Sequence, residues 1–557
     1  MKRSQPDTPD HGSEQRRLSA GLLPSLGLFT TTMIVVGAVI GSGIFRKPGV
    51  MAGDLIGHGV GMPWLLLGVW ALAGVITLFG ALTNAEVAGM IPETGGQFVY
   101  FDRMYGRFSA YIYGWSVFAV IQTGSIASIA YVFAEYMTRL ISPPLVADAV
   151  QTVAAHVAML VRDPQPGFWE TAAAFSIHLP FIGDINPFAS MEVKGIAAGL
   201  IILLTLVNYL GVKFGGIVQN IFTVSKVIAM MALVVLAFVL PGIGSTENVT
   251  TPSATMVAAG TNAPPSGSDA TISAPSASSS TDSKLGALGI ALAIAAALQG
   301  AFWAYDGWNN VTYIAGEVKN PQRNIPRALI MGMAIIITVY LLINLAYCYV
   351  LPIDEMAKSS LVAADVAERF FSGGGRWIAA AVLISTFGTT NGTILASARV
   401  YFSMARRNVF PRFLGNAHRT FHTPASSLVV QCVWSVVLLM SGTFDTLTDT
   451  LIFVSWMFYA AGAFGVFVLR RKAPAAERPY RVPGYPFIPA IFVVFALVYL
   501  VLTVYNDIVT YNEAVAAGKP AIINSAFGLM LVAVGIPFYF YFRSKGRTPG
   551  PLPEVQE

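Results

Sequence analysis

The sequence predicts an all-α integral membrane protein of twelve transmembrane helices, ten of them in two inverted five-helix halves. Three observations carry that expectation. The chain has 557 residues, 55% hydrophobic and only 11% charged, against about 25% charged in soluble domains. Apolar runs of about twenty residues, long enough to cross a bilayer, recur along most of its length. The first and sixth runs are each interrupted at mid-membrane depth by residues that loosen a helix.

The runs, here called spans 1 to 12, cover roughly 27–48, 62–90, 110–140, 194–212, 216–241, 286–315, 327–351, 376–404, 425–442, 447–470, 485–506 and 521–542. The loops between them alternate in charge. One set holds Arg103 and Arg107; Lys213; Lys319, Arg323 and Arg327; Arg406, Arg407, Arg412 and Arg419; and Arg470, Arg471, Lys472, Arg478 and Arg481. The other set is acidic or mixed, with Asp354, Glu355, Asp445, Asp449, Asp507 and Glu513. The positive-inside rule then puts both termini in the cytoplasm. The tail 1–25, with Lys2, Arg3, Arg16 and Arg17, reads as cytosolic rather than as a cleavable signal. The tail 544–557 joins it. Arg46 and Lys47 fall on the outer side, against the rule.

The expected organisation is a first repeat at 26–243 (spans 1–5), a second at 286–472 (spans 6–10), and spans 11 and 12 at 473–543. Two outer loops are long. The loop 143–193 is mixed, with an amphipathic stretch at Leu145–Val161. The loop 244–285 is rich in Ser, Thr, Ala, Pro and Gly and is expected to be disordered, because it has too little apolar surface to bury. Within it, Asn248-Val249-Thr250 matches a short glycosylation pattern.

The break in span 1 is Gly37-Ala38-Val39-Ile40-Gly41-Ser42-Gly43. Hydrocarbon offers no partner to a freed amide or carbonyl, so such a break survives where it lines a cavity. There amides can bind an anion and carbonyls a cation, and a free amino acid carries one of each. The competing reading is close helix packing by the Gly37/Gly41 pair. Span 6, five helices later, breaks at Ala304-Tyr305-Asp306-Gly307-Trp308-Asn309. Matching breaks in two halves of opposite topology point to a midplane binding site in a secondary transporter.

Other classes find little support. The histidines His11, His58, His156, His178, His418 and His422 are scattered, and no nucleophile–base set or metal cluster emerges, so neither an enzyme nor a cofactor is expected. Cys348 and Cys432 lie in apolar runs and offer no disulfide framework. The net charge of +5 is explained by orientation in the bilayer and calls for no nucleic acid. A non-transporting amino acid sensor would need a signalling appendage, and the tails are short.

Further pieces narrow the reading. They are Ala85-Glu86 and Pro92-Glu93-Thr94-Gly95-Gly96 after span 2, and Gln219-Asn220-Ile221-Phe222-Thr223-Val224-Ser225-Lys226 in span 5. After span 6 come Asn320-Pro321-Gln322-Arg323-Asn324-Ile325-Pro326, and in span 8 Phe387-Gly388-Thr389-Thr390-Asn391-Gly392. In this order, with Gly41-Ser42-Gly43-Ile44-Phe45 and the span 6 break, the chain resembles the L-type amino acid transporter family of the amino acid–polyamine–organocation superfamily. The likeness runs from about 26 to 543 without the two long loops, and it implies a LeuT-type fold.

The resemblance implies site residues. Amides near Ser42 and Gly43, with the Ser42 hydroxyl, would hold the substrate carboxylate. Carbonyls near Val39, Ile40 and Gly41, and those of Trp303, Ala304 and Asp306, would hold its ammonium. Trp303 stands where the family places an aromatic gate, or is an ordinary buried aromatic. Asn309 bonds around the break or near the substrate. Asp306 pairs with the substrate or with backbone amides freed by the break. Lys226 lies about ten residues into span 5, roughly 15 Å deep, which strains snorkelling. In the family this lysine replaces a sodium ion between spans 1 and 8, so the resemblance implies sodium-independent transport. Ser385, Thr386 and Thr389 are candidate neighbours. Glu86, Glu317 and Arg399 are inner-gate candidates or solvated helix ends. Phe453, Trp456 and Phe458 on span 10 read as packing aromatics ahead of pocket residues.

The implied activity is amino acid exchange by alternating access in the plasma (inner) membrane; proton-coupled uptake is the alternative. The animal branch of the family joins a single-span partner through a cysteine between spans 3 and 4. Residues 143–193 contain none, so no disulfide-linked heavy chain is expected, and the chain looks like a bacterial-type member.

Overall fold

The computed structural model describes residues 26–140, 177–179, 183–185, 187, 190–210, 215–253, 287–418, 420–421, 423–442, 444–518 and 521–545. Both tails, the Leu145–Val161 stretch and most of the two long loops lie outside the described residues.

Among the described residues, eleven helices are long and apolar enough to cross a membrane, and Ala425–Ser441, at 17 residues, is a shorter apolar helix. Together they are the twelve spans. Span 1 is two helices, Leu28–Val39 and Gly43–Gly57, and span 6 is Ala287–Tyr305 followed by a tighter 3₁₀ stretch, Trp308–Glu317. The remaining spans are Pro63–Met90, Arg107–Leu140 (with a π-turn at Val117–Ile121), Met191–Leu210, Gly215–Val239, Pro321–Val350, Gly374–Arg406, Ala425–Ser441, Phe444–Lys472, Phe487–Ala516 and Asn524–Lys545. Spans 2 and 7 begin with Pro63 and Pro321, where a missing N–H costs nothing. The described residues also hold one strand pair, Ile177–Leu179 with Gly183–Ile185, antiparallel within the first outer loop.

Burial separates the interior from the lipid face. The apolar window of span 3 is 94% buried, while those of spans 11 and 12 are 28% buried. Leu206, Leu210, Ile221, Ile228, Val239, Val494 and Val501 are more than half exposed or close to it, as apolar residues facing hydrocarbon would be.

Several boundaries differ from expectation: span 7 begins at Pro321 rather than 327, and span 11 runs on to Ala516 rather than 506. The second half of span 1 runs on to Gly57, because the short helices Ile353–Lys358 and Val362–Phe370 between spans 7 and 8 pack along it. The loop expected to be disordered from residue 244 begins instead with an ordered piece. Ser245 caps a short helix, Thr246–Thr250, by accepting from the Glu247 amide at 3.1 Å. Asn248 donates to the Tyr349 carbonyl at 3.1 Å, and Ser253 is tied to Gly61 and Asp354. These bonds order backbone that composition alone would leave free.

Span 7 packs along span 2 and the first half of span 1, Leu28–Val39. At one contact a Cβ added to Gly332 would lie 2.6 Å from Val35 Cγ1, a stiff β-branched side chain. Gly332→Ala should therefore lower the thermal midpoint in detergent, overpacking costing about 1–3 kcal/mol. An unchanged midpoint would mean that spans 1 and 7 yield easily.

Candidate functional site

The two breaks meet backbone to backbone. A Cβ on Gly43 would sit 2.6 Å from Ala304 Cα, so glycine is required there by space. Gly307, at φ +94°, makes the turn in span 6. Between the breaks lies a cavity of about 310 Å³ including its mouth. Ala38, Val39, Gly41, Ser42 and Gly43 line it from span 1, and Trp303, Asp306, Gly307 and Asn310 from span 6. Ser125 and Ile129 of span 3 and Thr389 and Thr393 of span 8 complete the wall. The outer half of span 1 starts at this cavity, which puts a helix N-terminus and its dipole against it. Ser42 Oγ is buried there without a hydrogen-bond partner.

Lys226 is buried, and its ammonium donates to the carbonyls of Gly37 at 2.8 Å and Ile40 at 2.5 Å and to Thr389 Oγ1 at 3.0 Å. All three N–H donors are used. The cation sits at the carbonyl end of the inner half-helix, where the helix dipole favours positive charge. Thr389 is the span 8 neighbour. Thr386 instead donates to Val382 within its own helix, and Ser385 Oγ is buried without a partner.

The expected ammonium carbonyls are partly engaged. Ile40 O serves Lys226, while the Tyr340 hydroxyl on span 7 lies 3.1 Å from Val39 O and 2.9 Å from Ala304 O. One hydroxyl proton thus ties both breaks together, and each carbonyl keeps a second lone pair. Trp303 O accepts the Asp306 amide at 3.2 Å.

Asp306 is turned toward span 10. Its Oδ1 accepts from the Tyr459 hydroxyl at 2.6 Å, which also lies 3.4 Å from Asn309 Oδ1. Asn309 continues to Tyr313 at 3.4 Å, and Tyr313 to Tyr113 at 3.0 Å. Asn309 does not line the cavity; its neighbour Asn310 does, held by the Gln122 amide at 3.0 Å. The Trp303 indole is buried and meets the Phe444 ring edge-on at 6.0 Å. Trp456 packs among Phe302, Phe492 and Tyr499, and Phe458 against Phe101 and Tyr113, away from the cavity.

The gate candidates Glu86, Glu317 and Arg399 are all paired. Arg399 donates to Glu317 at 2.6 Å, joining spans 8 and 6. Glu86 is buried and accepts from Arg470 at 2.9 and 2.7 Å and from the Val482 amide at 2.7 Å, fastening span 2 to the end of span 10. At the opposite end Arg46 pairs with Glu135, and Lys47 with Asp445 at 2.8 Å. Sequence reasoning missed Tyr340, Asn310, Ser125, Ile129, Thr393 and Tyr459. Only Thr393 had a signal, lying one helical turn beyond Thr389.

Two discontinuous helices crossing at a small cavity inside a twelve-helix bundle define a membrane transporter. A match to the amino acid permease family model extends over residues 26–536, and the chain belongs to that family. It is 28% identical over 505 residues to the serine/threonine exchanger SteT of Bacillus subtilis (strain 168), covering 89% of this chain and 95% of that protein. It is 28% identical over 528 residues to the b(0,+)-type amino acid transporter 1 of Homo sapiens, covering 95% and 90%. Against the Asc-type amino acid transporter 1 of Mus musculus identity is 27% over 529 residues, covering 94% and 82%. The chain is a multi-pass membrane protein and an amino acid transporter, not an enzyme.

Tyr340→Phe would leave the Val39 and Ala304 carbonyls without their shared donor, a loss of about 1–3 kcal/mol for buried groups. Uptake by the variant in vesicles should show a raised KM with a protein that still elutes as a single species. Wild-type kinetics would mean that the breaks hold their geometry without it.

Proposed function

We propose that this transporter exchanges zwitterionic amino acids by alternating access, without sodium, in the plasma (inner) membrane with both termini cytoplasmic. The observation that carries this reading is Lys226. Its fixed ammonium fills the space between the span 1 break and span 8, taking up the carbonyls that a sodium ion would otherwise need. The substrate carboxylate meets the amides and hydroxyl at Ser42–Gly43, and its ammonium meets the second lone pairs of the break carbonyls. Ser125, Asn310 and Thr393 give the cavity a polar far wall, which favours small polar side chains. The name of one relative, the serine/threonine exchanger SteT, agrees with amino acid exchange. With Cys348 and Cys432 on spans 7 and 9 as its two cysteines, the chain works without a disulfide-linked heavy chain.

A second reading, proton-coupled uptake, is favoured by Asp306, which is buried and has no ion-pair cation among the described residues. Proteoliposomes in sodium-free buffer separate the two. Labelled serine, threonine, alanine, leucine and arginine are offered to vesicles that are empty or preloaded with the same amino acid unlabelled. Exchange predicts uptake only into preloaded vesicles; uptake into empty ones that follows an inward proton gradient would make it a symporter. Lys226→Ala should abolish uptake under either coupling while the protein still folds, and near-normal uptake by that variant would sink the lysine's role.

A further inference from the structure

Arg46 and Lys47 break the charge rule that orients the rest of the chain, and the structure gives them a use. Both stand at the start of the outer half of span 1, three and four residues beyond Gly43. Lys47 is fully buried, an expensive place for a cation without partners. It reaches Asp445 at 2.8 Å and Asp449 at 3.7 Å, both on span 10. Arg46 pairs with Glu135 on span 3 and lies 3.4 Å from Asp445. Both cations also lie over one ring, Phe444, with the guanidinium 4.7 Å and the ammonium 4.9 Å from its centroid. That ring is the one the Trp303 indole meets edge-on at 6.0 Å, and Trp303 lines the cavity. A continuous chain of contacts therefore runs from the cavity through Trp303 and Phe444 to the ion pairs.

We propose that Arg46, Lys47, Phe444 and Asp445 are positioning residues that hold the outer half of span 1 against spans 3 and 10, forming the closed outer gate. Span 1 can swing at its break, whereas spans 3 and 10 are continuous where they meet it. Opening the cavity to the outside must separate Lys47 from Asp445 and lift both cations off Phe444. The pairs thus stabilise the outward-closed state and are exchanged for water when it opens. A substrate that moves Trp303 changes what Phe444 rests on, which links occupancy of the cavity to the gate. The word "outer" rests on the orientation proposed above.

The test reads the gate without needing the substrate's identity. In a Cys348→Ala, Cys432→Ala background, Ile129→Cys places one thiol in the cavity wall, and a membrane-impermeant maleimide is added to one side of the membrane at a time. Lys47→Met, Asp445→Asn and Phe444→Leu should each speed labelling from outside by about tenfold, as expected when a sparsely populated open state becomes a large minority. Lys47→Arg, which keeps the charge, should label like its parent; a merely structural lysine would not show that split. Equal labelling rates in the parent and all three variants would overturn the proposal, as would equal acceleration by Lys47→Arg. Acceleration confined to the opposite face would keep the lock and overturn the orientation instead. Should Lys47→Met fail to fold, Asp445→Asn and Phe444→Leu carry the same comparison.

Discussion

A buried ammonium with three oxygen partners, and no counter-anion among the described residues, holds the centre of this molecule together. Breaking span 1 inside the bilayer frees carbonyls that hydrocarbon cannot satisfy, and burying Lys226 strips its ammonium of water. Each cost is met by the other, because the Gly37 and Ile40 carbonyls and the Thr389 hydroxyl take all three N–H donors. The same contact fixes the position of span 5 and span 8 against the hinge of span 1. Tyr340 extends the arrangement to span 6 by placing one hydroxyl between the carbonyls of Val39 and Ala304.

Around that centre, buried charges pair between spans. Glu86, with its bidentate Arg470 and the Val482 amide, fastens span 2 to the end of span 10. Glu317 with Arg399, and Lys47 with Asp445, instead bridge the second halves of spans 6 and 1 to spans 8 and 10. Both pairs lie on the C-terminal side of a break, Lys47 four residues beyond Gly43 and Glu317 at the end of its half-helix.

Much of the membrane architecture was legible because the bilayer imposes a long-range rule on local composition. Spans of about twenty apolar residues, breaks rich in glycine and a lysine far from either membrane surface are all local features. They sufficed for the twelve spans, the broken first and sixth helices and Lys226 as the residue to watch. The segment after residue 244 went the other way: its composition is that of disorder, yet Asn248 and Ser253 find partners on span 7, the span 1–2 connection and the Ile353–Lys358 helix, which only the packed structure brings near.

By itself the sequence determined where the chain crosses the membrane and where it must bend, because both follow from the hydrophobicity and backbone freedom of neighbouring residues. Only the tertiary structure decided which side chains meet at the bend. It chose Thr389 over Ser385 and Thr386, put Asn310 rather than Asn309 in the cavity wall, and turned Asp306 toward Tyr459. Those choices depend on the rotation of each helix about its own axis. One residue of register turns a side chain by about 100°, and that angle is set by partners hundreds of residues away.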